Sequence, residues 1–363
     1  MKILHVIGGM DRGGAESYIM NSLRNIDREK YQCDILTFLA PRDGKKYVYE
    51  DELKTLGVKI IQIEDNRFKK PIKFIKDVEK VLREGGYDAI HSHIDFMSAI
   101  TLRAARNAGV KKRISHSHNT NNSNLKKPLL KACSNVFRRQ INREATMRLA
   151  CGEDAGRFLY GAKQEFRVIH NGIDIQKFRY NSNTRKMMRA KLGIDDDAVV
   201  LLNVGRFEEQ KNQEHLIDIF GDYVRKNKTA KLVIIGEGSL RQNLEDKIAS
   251  ERLEKSVMLL PAQDNMERFY SMADIFILPS LFEGVPTVGI EAQASGLKCL
   301  FSSNVPKETK LLDTAEFLPL EDNWTSKIIA VADKRGDAIK NAKVQEYAIE
   351  NTVKALEKAY DEA

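Results

Sequence analysis

Short apolar runs alternate with amphipathic stretches along the whole chain. The clearest run is Ile275, Phe276, Ile277 and Leu278, a strand pattern closed by Pro279 and Ser280. Pro286 follows after a loop, its fixed φ and missing N–H suited to a first helical residue, and Gly296 stands where that helix would end. LKCLFS at 297–302 resumes as the next buried strand, so this stretch predicts one right-handed parallel crossover.

The same rhythm predicts strands at 2–7, 33–39, 58–63, 87–93, 112–120 and 145–151, with helices from about 15 and at 51–56, 71–83 and 96–107. A short helix at 152–161 and a strand entering the turn at 171–174 close this half. Further strands are predicted at 199–204, 231–235 and 257–261, helices at 213–225, 266–272 and 342–360. Strands alternating with helices argue parallel sheets. At 363 residues the chain is long enough for two domains of about 150 residues, each with its own core.

Composition narrows the class. With 42% hydrophobic and 30% charged residues the chain has an ordinary soluble composition. Cys33, Cys133, Cys151 and Cys299 lack CxxC spacing, which argues buried thiols in a reducing cytosol rather than disulfides or a zinc site. The apolar run before Gly8 and Gly9 is too short for a signal peptide, and no span reaches the roughly 20 apolar residues of a membrane helix. Residues 1–175 hold 32 Lys and Arg against 21 Asp and Glu, whereas the remainder holds 27 against 30. A basic first half suits an anionic lipid surface, a nucleic acid or a phosphate-bearing substrate, and charge alone does not choose.

Several clusters carry candidate chemistry. Glu283 lies before the Pro286 helix and Glu291 a little over one turn into it, and both can face a crevice at the strand carboxyl ends, where α/β sheets bind ligands and a helix N-terminus favours an anion. Arg206 and Lys211 follow the 199–204 strand and could grip a diphosphate. The glycines Gly8, Gly9, Gly13 and Gly14 miss the GxGxxG spacing, and no acidic residue ends the second strand, so a nicotinamide dehydrogenase is disfavoured. His91, His93, His116 and His118 end two strands; with no carboxylate or cysteine fixed nearby, they read as cleft-lining or packing side chains rather than metal ligands. Asp195 to Asp197 precede a strand, at the edge opposite the expected site, and are not read as a metal motif. Residues 121–148 form a basic amphipathic segment, with Leu125, Leu129, Leu130, Val136, Phe137 and Ile141 among Lys126, Lys127, Lys131, Arg138, Arg139 and Arg143. It suits either docking on anionic headgroups or ordinary packing on the core.

The Glu-x7-Glu pair with GVP after the first Glu resembles the signature of family 4 retaining glycosyltransferases. GGAES, GR-x4-K from Arg206 to Lys211, HSHNT, the NGID turn at Asn171 to Asp174 with Phe178, and the Gly236-Glu237-Gly238 turn resemble further elements of that family, in its order. The resemblance implies an α/β, GT-B fold of two Rossmann-like parallel-sheet domains facing a central cleft. It implies an acceptor domain at 1–175 joined by a crossing C-terminal helix within 342–363, and a nucleotide-sugar donor domain at 176–341. It further implies transfer of a sugar with retention from a nucleotide sugar, a UDP-sugar by family frequency, to a saccharide acceptor that can be lipid-linked. HSHNT and the basic segment look most like enzymes of capsule and exopolysaccharide assembly, which would place the chain in the cytoplasm or at the inner membrane face.

By the same resemblance His118, with His116 in reserve, and Glu283 contact the transferred sugar, joined by the backbone of Gly284, Val285 and Pro286. Gly13, Gly14, Arg206, Lys211 and Thr287 meet the diphosphate, Glu291 the ribose, and Gly236, Glu237, Gly238 and Pro261 the nucleotide. No metal, no separate cofactor and no nucleic acid are expected. The rival readings are a GT-B epimerase or phosphorylase and a non-enzymatic basic binding module.

Overall fold

The computed structural model describes residues 1–41, 44–120, 128–329, 335 and 338–363, the side chains of 128–132 and 329 excepted. It divides into two compact units, 1–172 with 349–363, and 173–348.

The first unit holds a seven-stranded parallel sheet. Its strands are β1 (Lys2–Val6), β2 (Gln32–Thr37), β3 (Ile60–Gln62), β4 (Ala89–Ser92), β5 (Lys112–Ser117), β6 (Met147–Ala150) and β7 (Arg167–Val168), in the order β3-β2-β1-β4-β5-β6-β7. The central strands are buried on both faces because helices cover both. Ile3, Ile35, Ala89 and Ile114 pack with Tyr18, Ile19 and Leu23 of the helix Gly14–Asn25 and with Val353 and Leu356 of the helix Ile349–Glu362. Leu4, Val6, Leu36 and Ile90 pack on the other side with Phe74 and Val78 of Pro71–Gly85 and Leu102 of Ser98–Asn107.

Strand parity decides where the histidines go. His5 pairs in register with His91, and His91 with Ile114, so residues 5, 91, 93, 116 and 118 share one face of the sheet. That face is the one covered by Gly14–Asn25 and Ile349–Glu362.

The second unit holds a six-stranded parallel sheet: β8 (Val200–Val204), β9 (Lys231–Ile235), β10 (Val257–Leu260), β11 (Ile275–Leu278), β12 (Lys298–Ser302) and β13 (Ala315–Leu318), in the order β10-β9-β8-β11-β12-β13. In each sheet the strand order reverses once beside the first strand, between β1 and β4 and between β8 and β11. A switch of this kind, at the carboxyl ends of the strands, is where open α/β sheets bind their ligands.

Three expectations need correction. The helix expected at 342–360 is two helices: Ala342–Glu346 belongs to the second unit, where Val344 and Tyr347 join its core, and Ile349–Glu362 to the first. The unit boundaries therefore fall at 172 and 349 rather than 175 and 342. Pro286 is the cap and Thr287 the first helical residue, because Pro286 keeps an extended ψ of 110°. Gly296, at φ 72°, ends that segment in the left-handed region that an L side chain disfavours.

Candidate active site

In the second unit two loops are stitched together at the β8–β11 switch. The Leu281 N–H donates to the Gln210 carbonyl at 2.8 Å, and the Gln210 side chain donates to the Phe282 carbonyl at 3.0 Å. Asn212, held at φ 54°, donates from its amide to the Pro279 carbonyl at 3.1 Å. These bonds fix Glu283, only 6% exposed, against Lys211: Nζ lies 2.6 Å from Oε1, and the Ser280 hydroxyl donates to the same oxygen at 2.6 Å. Lys211 is thus the counter-ion of Glu283 in this state, whereas Arg206 is exposed and its guanidinium makes no hydrogen bond or ion pair among the described residues. Arg206 is the cation of the pair that can reach an anion without first breaking a bond.

The backbone after Glu283 runs through Gly284, buried Val285 and Pro286 into the helix Thr287–Ala294. Glu291, partly buried on that helix, accepts a hydrogen bond from the Tyr270 hydroxyl at 2.7 Å. Burial pushes its carboxyl up to about 7; the Tyr270 bond and Lys177 oppose that rise, and Glu267 adds to it. Gly236 and Gly238 are packing glycines. A Cβ on Gly236 would stand 1.9 Å from the Gly205 carbonyl oxygen, and one on Gly238 2.3 Å from that of Phe207, so this turn braces the Arg206 loop from below. Glu237 and Pro261 are exposed beside it. Asp195, Asp196 and Asp197 lie exposed ahead of β8, at the amino-terminal edge of the sheet.

In the first unit the helix Gly14–Asn25 starts after β1 with Gly13 in its cap position; Gly13 faces the Glu16 carboxylate, and Gly14 has open space where a Cβ would be. At the β1–β4 switch the five histidines touch in sequence. His93 Nδ1 is 2.9 Å from His118 Nε2, His5 Nδ1 is 3.0 Å from His93 Nε2, and His91 Nε2 is 3.2 Å from His116 Nδ1. The Tyr360 hydroxyl joins His91 Nδ1 at 2.8 Å and His5 Nε2 at 3.4 Å. His5, His91, His93 and His116 are buried, and His118 is partly exposed. Burial lowers all five imidazoles, His5 to about 4 and His118 to about 3, so each is neutral near pH 7. Asp95, at φ 44°, accepts from the His118 N–H and the Asn119 amide, and burial pushes its carboxyl up to about 6.

Sequence reasoning treated the HxH pairs alone and missed His5, Tyr360, Tyr270, Ser280 and Gln210. His5 carried the one available signal, as the polar residue inside the otherwise apolar first strand. Of the basic segment 121–148, residues 121–127 and the side chains of 128–132, hence Leu125, Lys126, Lys127, Leu129, Leu130 and Lys131, lie outside the described residues. Of the rest of its helix, Ile141 is in the core and Arg138 donates to the Leu159 and Phe158 carbonyls, whereas Val136, Arg139 and Arg143 are exposed.

Two parallel-sheet units of Rossmann type, each with its polar residues at the strand switch, place the chain in the GT-B class. HepE from Anabaena, solved with UDP-glucose, superposes with a TM-score of 0.81 over 100% of both chains at 17% identity. The model for "Glycosyltransferase Family 4" matches residues 12–177 and that for "Glycosyl transferases group 1" residues 184–354. The putative glycosyltransferase EpsF of Bacillus subtilis is 35% identical over 315 residues, 85% of this chain and 80% of its own. CapH of Staphylococcus aureus, a capsular polysaccharide biosynthesis glycosyltransferase, is 28% identical over 319 residues, 86% of this chain and 83% of its own. The chain belongs to the family 4 glycosyltransferases.

Proposed function

We propose that the protein transfers a sugar, with retention and without a metal, from a UDP-sugar to a hydroxyl of a lipid-linked saccharide during cell-surface polysaccharide assembly. The observation that carries this reading is the clamp of Glu283, Lys211 and Ser280 at the β8–β11 switch, with Arg206 beside it and Glu291 on the helix that follows. The part of CapH in capsular polysaccharide biosynthesis and the UDP-glucose held by HepE support the product and donor class.

The second unit takes the donor. Glu291 accepts from the ribose hydroxyls, and Glu283 with the Gly284 to Pro286 backbone orients the sugar. Arg206, Lys211, the Thr287 helix end and, from the first unit, Gly13 and Gly14 meet the diphosphate; Gly236, Glu237, Gly238 and Pro261 frame the nucleotide. His118 of the first unit orients a sugar hydroxyl. As the bond from the anomeric carbon to the phosphate oxygen breaks, that carbon bonds to the acceptor oxygen on the same face, and the acceptor proton passes to the departing phosphate. Fixed cations and helix N–H groups stabilise the charge that develops there. Thermal shifts with UDP, GDP, ADP and CMP test the donor class: UDP at about 100 times its dissociation constant stabilises by roughly 2.7 kcal/mol in the wild type, and not in Glu291→Ala. No shift with any nucleotide would remove the reading. Anomeric NMR of the product checks retention, and unchanged turnover in EDTA checks metal independence.

A ribose hydroxyl needs Glu291 ionised, and its carboxyl titrates near pH 7. UDP affinity will therefore weaken as pH falls below 7, approaching about tenfold per unit. Tyr270→Phe removes a donor to the charged form and will move that midpoint upward. Calorimetry between pH 6 and 8.5 reads both effects, and Glu291→Gln separates them from titration of UDP itself; the same slope in that variant would rule the ribose assignment out.

The membrane contact of this reading belongs partly to a surface outside 121–148. Phe68 and Ile72, 76% and 71% exposed, stand among exposed Lys69, Lys70 and Lys76. Apolar side chains ringed by lysines match an anionic lipid interface. Phe68→Ser with Ile72→Ser will reduce sedimentation with phosphatidylglycerol vesicles several-fold without changing the UDP thermal shift. Equal sedimentation of both proteins would refute it.

A further inference from the structure

The histidine cluster is denser than sugar contact by one residue requires. Two trios, His5 with His91 and His93, and His93 with His116 and His118, bring ring nitrogens within 4.8 Å of one another. Neutral imidazoles in such groups are the form that binds metal. Here, however, eight of the ten ring nitrogens already face a nitrogen or the Tyr360 hydroxyl at 2.8 to 3.4 Å. Only His118 Nδ1 and His116 Nε2 lack a partner among the described residues, and both atoms are shielded from water.

Those contacts have a direction. In order they run His118 Nε2 to His93 Nδ1, His93 Nε2 to His5 Nδ1, His5 Nε2 to Tyr360, Tyr360 to His91 Nδ1, and His91 Nε2 to His116 Nδ1. Every ring is entered at one nitrogen and left at the other, head to tail. A neutral imidazole has one N–H and one lone pair, and a phenol has one O–H. Six groups therefore carry six hydrogens for five contacts, and the sixth hydrogen sits at one end. If one ring reverses alone, two N–H groups or two lone pairs face each other where no water can separate them.

We propose that these six side chains form one directional hydrogen-bonded chain that holds all five imidazoles in the same tautomer, with Tyr360 as a positioning residue that sets which group His118 presents. All five rings carry their hydrogen on Nδ1, or all carry it on Nε2. The two terminal nitrogens are then opposite in character: one is an N–H and the other a lone pair. Reversing His118 requires reversing His93, His5, Tyr360, His91 and His116 with it. Tyr360 is the only member from the terminal helix, and its hydroxyl is the single link between the three histidines on one side and the two on the other. The catalytic consequence rests on the reading that His118 orients the transferred sugar; the shared tautomer does not.

Long-range proton–nitrogen NMR of 15N-histidine-labelled protein at pH 7.5 distinguishes the two tautomers ring by ring, without any nucleotide sugar. One common tautomer for His5, His91, His93, His116 and His118 is expected, and a mixed set would overturn the proposal. Tyr360→Phe keeps the ring against its neighbours and removes the bridge. It should free the two halves, so that the five rings no longer share one tautomer. With them kcat should fall about tenfold, the scale of one lost hydrogen bond, while the donor KM stays within about twofold. A uniform pattern surviving in Tyr360→Phe would refute the coupling, and an unchanged kcat beside a broken pattern would refute the positioning role. Stoichiometric zinc binding that erases the common tautomer would replace the chain with a metal centre and also overturn it.

Discussion

Glu283→Gln will lower sugar transfer by at least about a hundredfold while leaving the UDP dissociation constant within about threefold of wild type. The glutamine keeps the shape and one acceptor for the Ser280 hydroxyl, but it removes the charge that Lys211 meets at 2.6 Å. In the wild type the carboxylate holds Lys211 in place and, in the proposed role, offers the sugar an acceptor stronger than an amide. Removing it leaves a largely buried ammonium without its counter-ion but still able to meet the diphosphate in its proposed role, so nucleotide binding is largely kept. The variant will also be less stable by a few kcal/mol, the usual cost of breaking a buried pair by removing one member. Steady-state kinetics and UDP calorimetry on the same preparation decide the matter. Equal losses in turnover and UDP affinity would mean that Glu283 holds the nucleotide rather than the reacting sugar.

The second large effect is acid instability. Five histidines stay neutral in the folded protein well below pH 6.5, while in the unfolded chain they take up protons near that value. The unfolded state therefore binds more protons between pH 6.5 and about 4, and stability falls as pH falls through that window. From pH 7 to 5.5 each histidine contributes a loss of about 1 kcal/mol or slightly more, roughly 6 kcal/mol for the five. Asp95 and Glu291 have raised values and act in the opposite sense, together by about 2 kcal/mol. A net loss of about 4 kcal/mol is a large part of the 5 to 15 kcal/mol typical of a folded domain. Guanidinium unfolding at pH 7.5, 6.5 and 5.5, followed by circular dichroism, measures it; a constant midpoint would show that the cluster is charged or open to water in solution.

Much of the architecture was legible because its signals are local. Apolar runs such as 275–278, the turn residues Pro279, Pro286 and Gly296, and amphipathic spacing in 71–83 each act within a few residues. The loops carrying Arg206, Lys211 and Glu283, and the helix carrying Glu291, could therefore be placed at strand carboxyl ends before any geometry was known. What escaped the sequence is non-local. That Lys211 is bound to Glu283 depends on β8 and β11 being neighbours, and that Glu291 meets Tyr270 depends on how two helices pack. His5 and His91 are 86 residues apart and meet only through strand register. His116 and His118 could not be told apart at a spacing of two, because both point to one face; depth along the strand separates them, with His116 buried and His118 partly exposed. The break between Ala342–Glu346 and Ile349–Glu362 carries no glycine or proline and follows from Tyr347 being drawn into one core and Ile349 into the other.

The helix Ile349–Glu362 also bears on how the protein is made. Its Ile349, Val353, Leu356 and Tyr360 complete the core of the first unit, and Asp361 accepts from Tyr31 and Lys30 near that unit's start. A ribosome delivers residues 1–172 first and this helix only after 173–348. At 5 to 20 residues per second the wait is roughly 10 to 35 seconds, during which the sheet face under this helix has only the helix Gly14–Asn25 as cover. The first unit to emerge is therefore the last to close, and a nascent chain of this design needs a holding chaperone on its early half more than on its late one.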